Sequence, residues 1–137
     1  QAGDVVTNIT FKSGATAADT PTNWWFALYS SASTPALLAQ TADQTTTAWA
    51  ANTAKTVALA TAQTITSPGI YYAAIMMKAT ATVTLLGRTV ALAGASTGSI
   101  TGQAVLARTS GSSLTDTAPA TIATPTTSAL VAYAVLT

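Results

Sequence analysis

Of the side chains on which acid/base catalysis and metal ligation mainly depend, this sequence has only aspartates. The chain contains no His, Cys or Glu, so Ser/His/Asp and Cys/His triads are excluded. A pair of carboxylates can hydrolyse a glycosidic bond, with one as the acid and the other as base or nucleophile. The aspartates are Asp4, Asp19, Asp43 and Asp116. They are scattered, and most lie in loop-like segments where short acidic residues cap turns, so we expect no enzymatic activity.

Aromatic side chains offer a second kind of chemistry, because a flat ring can stack on the apolar C–H side of a pyranose. Adjacent aromatics on a strand point to opposite faces, so one ring of a pair can instead lie in the core and the other under a loop or subunit. The residues that we expect to contact a glycan or a subunit are Trp25, Trp49, Tyr71 and Asn52. A structural role predicts that protein covers these rings. Sugar recognition predicts at least one exposed ring beside Asn or Asp.

Charge and glycine spacing favour neither a nucleic acid nor a cofactor. The basic residues are dispersed and form no phosphate-binding patch. They are Lys12, Lys55, Lys78, Arg88 and Arg108. The glycines of 94–102 lack the spacing of a phosphate-binding loop. The longest compact apolar runs, 70–77 and 129–136, are far shorter than the roughly 20 residues of a spanning helix, so we expect no membrane insertion.

The segments that carry these residues have the patterns of β-strands. Residues 4–12 alternate apolar and polar side chains, which is typical of a half-buried strand. Residues 23–30 are apolar on both faces, so this strand is either central in a sandwich or covered by a loop or a neighbouring subunit. Further strands are predicted at 36–40, 54–59, 70–78, 82–86, 103–108 and 128–136, with a short helical turn from Asp43 to Trp49 and a loop at 94–102.

About eight short strands separated by Gly/Pro/Ser loops predict an all-β fold. We expect a single β-sandwich domain over residues 1–137, with a jelly-roll topology. The face of the second strand that bears Trp24, Phe26 and Leu28 is predicted to lie in the core. Its predicted neighbours are Val57, Leu59, Ile70 and Tyr72.

Four runs of sequence carry a resemblance to a known family. They are 23–29 (NWWFALY), 37–44 (LLAQTADQ), 48–53 (AWAANT) and 69–72 (GIYY). In these runs, and most clearly over residues 4–92, the chain resembles a module of virion structural proteins, usually labelled minor tail proteins, of tailed bacteriophages of actinobacteria. The shared motifs are strand and turn signatures without catalytic residues.

The resemblance implies a non-enzymatic building block of a phage particle, on its tail, a fibre or the capsid exterior. Because the chain opens at Gln1, we expect it to be excised or processed from a longer virion protein. The resemblance and the two-sided apolar strand together predict a homotrimer that contacts other virion proteins. The alternative function is a carbohydrate-binding module that recognises glycans of the host surface.

Overall fold

The computed structural model describes residues 1–90 and 105–137, and in this part the fold is all-β with ten strands and no helix. The all-β prediction is therefore confirmed. The strands are β1 (Val5–Lys12), β2 (Asn23–Ser30), β3 (Leu37–Gln40), β4 (Ala54–Thr64), β5 (Tyr71–Lys78), β6 (Gly87–Thr89), β7 (Arg108–Thr109), β8 (Thr126–Thr127), β9 (Leu130–Ala132) and β10 (Ala134–Leu136).

The described strands form four small antiparallel sheets. Two sheets have three strands, in the orders β10-β1-β4 and β3-β2-β5, and the other two are the pairs β6-β9 and β7-β8. The strand predicted at 36–40 is present as β3, which pairs antiparallel with β2. An isolated bridge between Thr41 and Leu59 connects the two three-stranded sheets along one side.

The two three-stranded sheets enclose the main core. β1 contributes Ile9 and Phe11 and β2 contributes Trp24, Phe26 and Leu28, as their alternation predicts. The rings of Phe11 and Phe26, one from each sheet, are 4.9 Å apart at their centroids. Burial of these large apolar side chains stabilises the fold, at about 1.5–3 kcal/mol for each fully buried one.

Two of the four predicted neighbours of this core face are wrong. Val57 and Leu59 pack in the core, but Ile70 is 53% exposed and Tyr72 lies on the opposite face of its strand. The cause is the register between β2 and β5, in which Phe26 is opposite Ile75. A register shift of one residue exchanges the two faces of a strand, and here it is Tyr71 that faces the main core.

Two other local predictions also differ from the structure. Residues 45–46 form a turn, and no helical turn runs from Asp43 to Trp49. The segment 82–86, which is predicted as a strand, does not form one. Instead Leu85 bridges to Ser13, and the following strand β6 pairs with β9. A Cβ at Gly87 would overlap the carbonyl of Val131, so this close pairing requires glycine.

The predictions for residues 94–108 and 128–136 have mixed outcomes. The loop at 94–102 lies outside the described residues, as does the beginning of the strand expected at 103–108, of which Arg108 belongs to β7. The closing strand at 128–136 is present as two pieces, β9 and β10. The two pieces are separated by Tyr133, whose N–H donates to the carbonyl of Leu86.

The outer face of β2 is covered by residues 105–123, a largely irregular segment that we call the strap. Under it, Trp25, Ala27 and Tyr29 form a second buried cluster with Ala118 of the strap. Strand β2 is thus buried on both faces. The sequence leaves open whether a loop or a neighbouring subunit covers this strand, and in the structure a loop of the same chain covers it.

Candidate functional site

Asp43, at which the sequence predicts a short helical turn to begin, holds together the start of β2 and the loop 41–53. The Oδ1 atom of Asp43 accepts hydrogen bonds from the backbone N–H groups of Trp24 (2.9 Å) and Thr45 (3.1 Å), and Oδ2 accepts one from Asn23 Nδ2 (2.6 Å). These three bonds satisfy a partly buried carboxylate. Asp43 therefore acts as a structural acceptor in this arrangement.

The other aspartates lie on separate segments of the surface. Asp19 is in the loop 13–22, where its Oδ1 accepts from the Thr20 hydroxyl at 3.0 Å. Asp116 is in the strap and accepts from the hydroxyls of its two neighbouring threonines. Asp4 lies ahead of β1, where its carboxylate contacts the amino group of Gln1. Within residues 1–90 and 105–137, no group of three or more His, Cys, Asp or Glu side chains is arranged to hold a metal ion.

Two of the predicted contact residues, Trp25 and Trp49, are buried by their own chain. Trp49 is 0% exposed, lies 5.2 Å from the Trp24 ring, and donates through Nε1 to the carbonyl of Thr53 at 3.1 Å. Trp25 is 2% exposed and donates through Nε1 to the carbonyl of Thr115 in the strap at 2.8 Å. Both indoles are satisfied core residues, and neither presents a ring face on which a ligand could stack.

The remaining two contact residues, Asn52 and Tyr71, lie at opposite ends of the sheets. Asn52 is exposed in the loop before β4, has a φ of 55°, and donates its backbone N–H to the carbonyl of Gly14 at 2.7 Å. A positive φ of this kind is tolerated by asparagine better than by most residues, so the turn accounts for the residue type. The structure does not bring the predicted contact residues together.

Tyr71 is the aromatic candidate that remains partly accessible. Its hydroxyl donates to the carbonyl of Ser67 at 2.7 Å, which fixes the ring against the loop that precedes β5. The ring lines a cavity of about 430 Å³ whose wall also includes Asp4, Val5 and Leu136. A half-buried aromatic ring and a carboxylate thus share one concave surface, which we call the Tyr71 cavity.

The lining of the Tyr71 cavity is partly polar and partly apolar, and its apolar side chains are partly open to solvent. Val5 is 52% exposed and Leu136 is 39% exposed. Ile70, directly before the tyrosine, is similarly open. Sequence reasoning did not find Asp4 or Leu136 as neighbours of Tyr71. Asp4 and Leu136 lie in or beside the sheet of β10, β1 and β4, whereas Tyr71 lies in β5 of the other three-stranded sheet. Only the tertiary arrangement of the two sheets brings the three residues together, and no local sequence signal reports it.

A second concave surface runs along β5. It is a groove of about 1100 Å³ lined by residues of β5, of the strap and of 128–136. Its wall includes Met76, Met77 and Arg108, and the guanidinium carbon of Arg108 lies 5.5 Å from the centroid of the Tyr72 ring. This groove is predominantly apolar in its lining side chains.

Comparison with known proteins identifies no relative of this chain. No protein-family model, curated protein or solved structure matches the chain. In the part of the chain that the structure describes, there is no helix of the length and apolarity needed to cross a membrane.

Proposed function

We propose that this chain is a non-enzymatic structural component of a bacteriophage virion, on its tail, a fibre or the capsid exterior, and that it acts in assembly or host attachment. The observation that carries the proposal is the use of its aromatic residues. Trp24, Trp25 and Trp49 all serve as core residues with satisfied indole N–H groups. The resemblance in the runs around these residues adds the virion context.

The surface chemistry is compatible with this role. Four acidic and five basic residues in 137 leave an exterior made mostly of Thr, Ser and small apolar side chains. Few Lys and Arg side chains offer few cleavage sites for trypsin-like proteases. A particle component that stays exposed benefits from such a surface, because it remains hydrated without strong charge.

We propose further that the small sheets are parts of one β-sandwich with a jelly-roll topology. The β6-β9 pair extends the layer of β1, since the N–H of Leu86 donates to the carbonyl of Lys12 at 2.8 Å. In this interpretation β4, β1 with β6, and β10 with β9 form one layer, and β3, β2 and β5 form the other. The shared core between Phe11 and Phe26 supports the two-layer arrangement.

Self-association as a homotrimer beside other virion proteins is part of the same proposal. The strap covers the outer face of β2, so that strand does not need a subunit to bury it. Large apolar side chains remain exposed elsewhere: Val5, Ile70, Leu86, Leu106, Leu130, Tyr133, Val135 and Leu136. Light scattering behind a sizing column should give the mass of three chains. A stable monomer at micromolar concentration would exclude the trimer.

The virion role is tested by electron microscopy of the particle with this chain labelled. Label on the capsid would indicate a decoration protein, label on the tail tube a tube component, and label on the tail tip a role in host attachment. Purified particles that carry no label contradict the proposal. Hydrolysis of host cell-wall polysaccharide that is lost on replacing one aspartate would contradict it independently, because the chain would then be an enzyme.

The second candidate function, carbohydrate binding, is favoured by one specific observation. Tyr71 retains an accessible ring, and it shares a cavity with the carboxylate of Asp4. This is the combination expected of sugar recognition, an aromatic ring beside an acidic side chain. Trp25 and Trp49 contribute nothing to such a site because they are buried.

A further inference from the structure

We propose that the Tyr71 cavity is a subsite for one neutral pyranose unit of a surface glycan. The inference rests on the carbohydrate-binding candidate above and specifies its site and ligand class. The cavity volume of about 430 Å³ lies within the range of about 300–1,000 Å³ that is typical of small-molecule sites. Ligand sites of this kind combine an apolar wall with a few polar groups that fix orientation.

The apolar wall is built around a ring that is already oriented. The Tyr71 hydroxyl is held by the Ser67 carbonyl at 2.7 Å, so the ring loses little rotational freedom when a ligand packs on it. Val5 and Leu136 line the same cavity. Together these side chains provide a surface for the C–H face of a sugar ring, which is the apolar face of a pyranose.

The polar part of the site is supplied by Asp4. Its side chain is 63% exposed, and its contact with the Gln1 amino group leaves the carboxylate with further acceptor capacity. A carboxylate accepts hydrogen bonds from hydroxyl groups strongly, because a charged acceptor roughly doubles the strength of such a bond. Asp4 therefore provides the directional contact that distinguishes a polyol from a purely apolar ligand.

The charge of the cavity selects among sugars. Its described lining contains the carboxylate of Asp4 and no Lys or Arg side chain. The only ammonium group of the described lining, that of Gln1, is already paired with Asp4, so an acidic sugar, such as a uronic or sialic acid, would add a second carboxylate without a free basic partner, which is unfavourable. The expected ligand is thus a neutral hexose, deoxyhexose or N-acetylhexosamine.

The test is a titration of the isotope-labelled chain with neutral monosaccharides at millimolar concentration, followed by backbone and side-chain NMR shifts. We use glucose, galactose, mannose, rhamnose and N-acetylglucosamine, with glucuronic acid as the charged comparison. At least one neutral sugar should shift signals of 4–6, 65–71 and 136–137, and glucuronic acid should bind more weakly. No shift with any neutral sugar, or shifts confined to other regions, would overturn the proposal.

Variants separate the roles of the ring and the carboxylate. Tyr71→Ala should weaken binding by about tenfold or more, which corresponds to at least about 1.4 kcal/mol. Asp4→Asn should weaken it while the apolar wall stays intact. The matched control is Tyr133→Ala, which removes a tyrosine that is 59% exposed and lies outside the cavity. Equal losses in the control and in Tyr71→Ala would show nonspecific binding and overturn the site.

Failure of the sugar-binding proposal can be distinguished from failure of the proposed virion role. Labelled particles together with a chain that binds no sugar leave the structural role in place and remove the subsite. Sugar binding by a chain that is absent from particles keeps the subsite and removes the virion role. A second copy of the chain could also occupy the cavity. In that case the signals of the cavity would shift with protein concentration in the absence of sugar, and sugar binding would be blocked. This result would also contradict a glycan subsite.

Discussion

The two faces of β2 are both buried, but they are buried in different ways. The inner face packs against other aromatic rings: Trp24 lies 5.5 Å from Phe26 and 5.2 Å from Trp49. The outer face packs against the irregular strap, and its polar groups donate to strap carbonyls. The inner face is therefore held mainly by close packing of large side chains, whereas the outer face depends on hydrogen bonds to a segment of irregular backbone.

This difference predicts that the two regions open at different free energies. Segments with little regular pairing and few buried apolar contacts open locally below the free energy of global unfolding. The strap is tied by Trp25 to Thr115, by Tyr29 to Pro119 and by Tyr72 to Val105. We expect the strap to exchange its amide hydrogens before the inner core does, and the following predictions test that order.

The largest effect is expected from Trp24→Ala. The indole is 0% exposed among other rings, and its removal should lower the free energy of unfolding by about 3–5 kcal/mol, the cost of losing a large buried aromatic. Denaturant unfolding followed by circular dichroism measures this. An unfolding curve that coincides with wild type, or a helical spectrum of the wild-type protein, is incompatible with the inner core described above.

Trp25→Ala is the matched variant on the outer face, and its cost should be smaller. The strap can move toward the vacated space because its backbone is irregular, and the loss depends on how well a site can collapse. We expect about 2–3 kcal/mol, with faster amide exchange concentrated at 114–120. If Trp25→Ala costs as much as Trp24→Ala and leaves strap exchange unchanged, the two faces do not differ in the way proposed.

Tyr29→Phe should have a moderate effect, about 0.5–1.5 kcal/mol, because it removes the 2.7 Å hydrogen bond to the Pro119 carbonyl and keeps the ring. Burial raises the pKa of Tyr29 from 10.0 to about 12. The folded state thus holds this proton more tightly than the unfolded chain does. The stabilising contribution is present below pH 10 and is lost as pH rises toward 12.

The pH dependence is measured by denaturant unfolding of wild type and Tyr29→Phe from pH 9 to 12. The fall in the free energy of unfolding that is due to Tyr29 should be absent in Tyr29→Phe. Tyr133→Phe is the control, since that ring is 59% exposed, and it should keep the wild-type pH profile. Identical profiles for all three proteins would show that the Tyr29 hydroxyl is not protected by the strap.

The strands and the inner face of β2 could be predicted from the sequence because their patterns are local. The alternation of 4–12 and the aromatic residues of 23–30 specify β1 and β2 directly. The inward face of β5 could not be assigned in this way. Both of its faces are apolar, with Tyr71 beside Tyr72, so only the pairing register decides which side faces the core.

The strap and the Tyr71 cavity depend on contacts between distant parts of the chain. The strap has no periodic pattern, so its covering role is visible only in tertiary contacts, such as the packing of Ala118 against β2 and the hydrogen bond from Ala118 N–H to Gln40 Oε1, at 2.8 Å. Asp4 precedes β1 and Tyr71 is in β5 of the other three-stranded sheet, so the two line one cavity although nearly half of the chain separates them. Side-chain type identified Tyr71 as a candidate, but it gave no information about its neighbours.

The smallest effect is expected from Arg108→Met, which acts on the outer face alone. The guanidinium lies 5.5 Å from the Tyr72 ring centroid and donates to the Ser33 carbonyl at 3.4 Å. Methionine keeps an apolar stem but removes the charge, so the loss should be about 0.5–1 kcal/mol. Amide exchange near 105–110 should accelerate while the inner core stays protected. Arg88→Met, at an exposed position of β6, is the control and should leave strap exchange unchanged; equal effects of the two variants would mean that the cation over Tyr72 does not hold the strap.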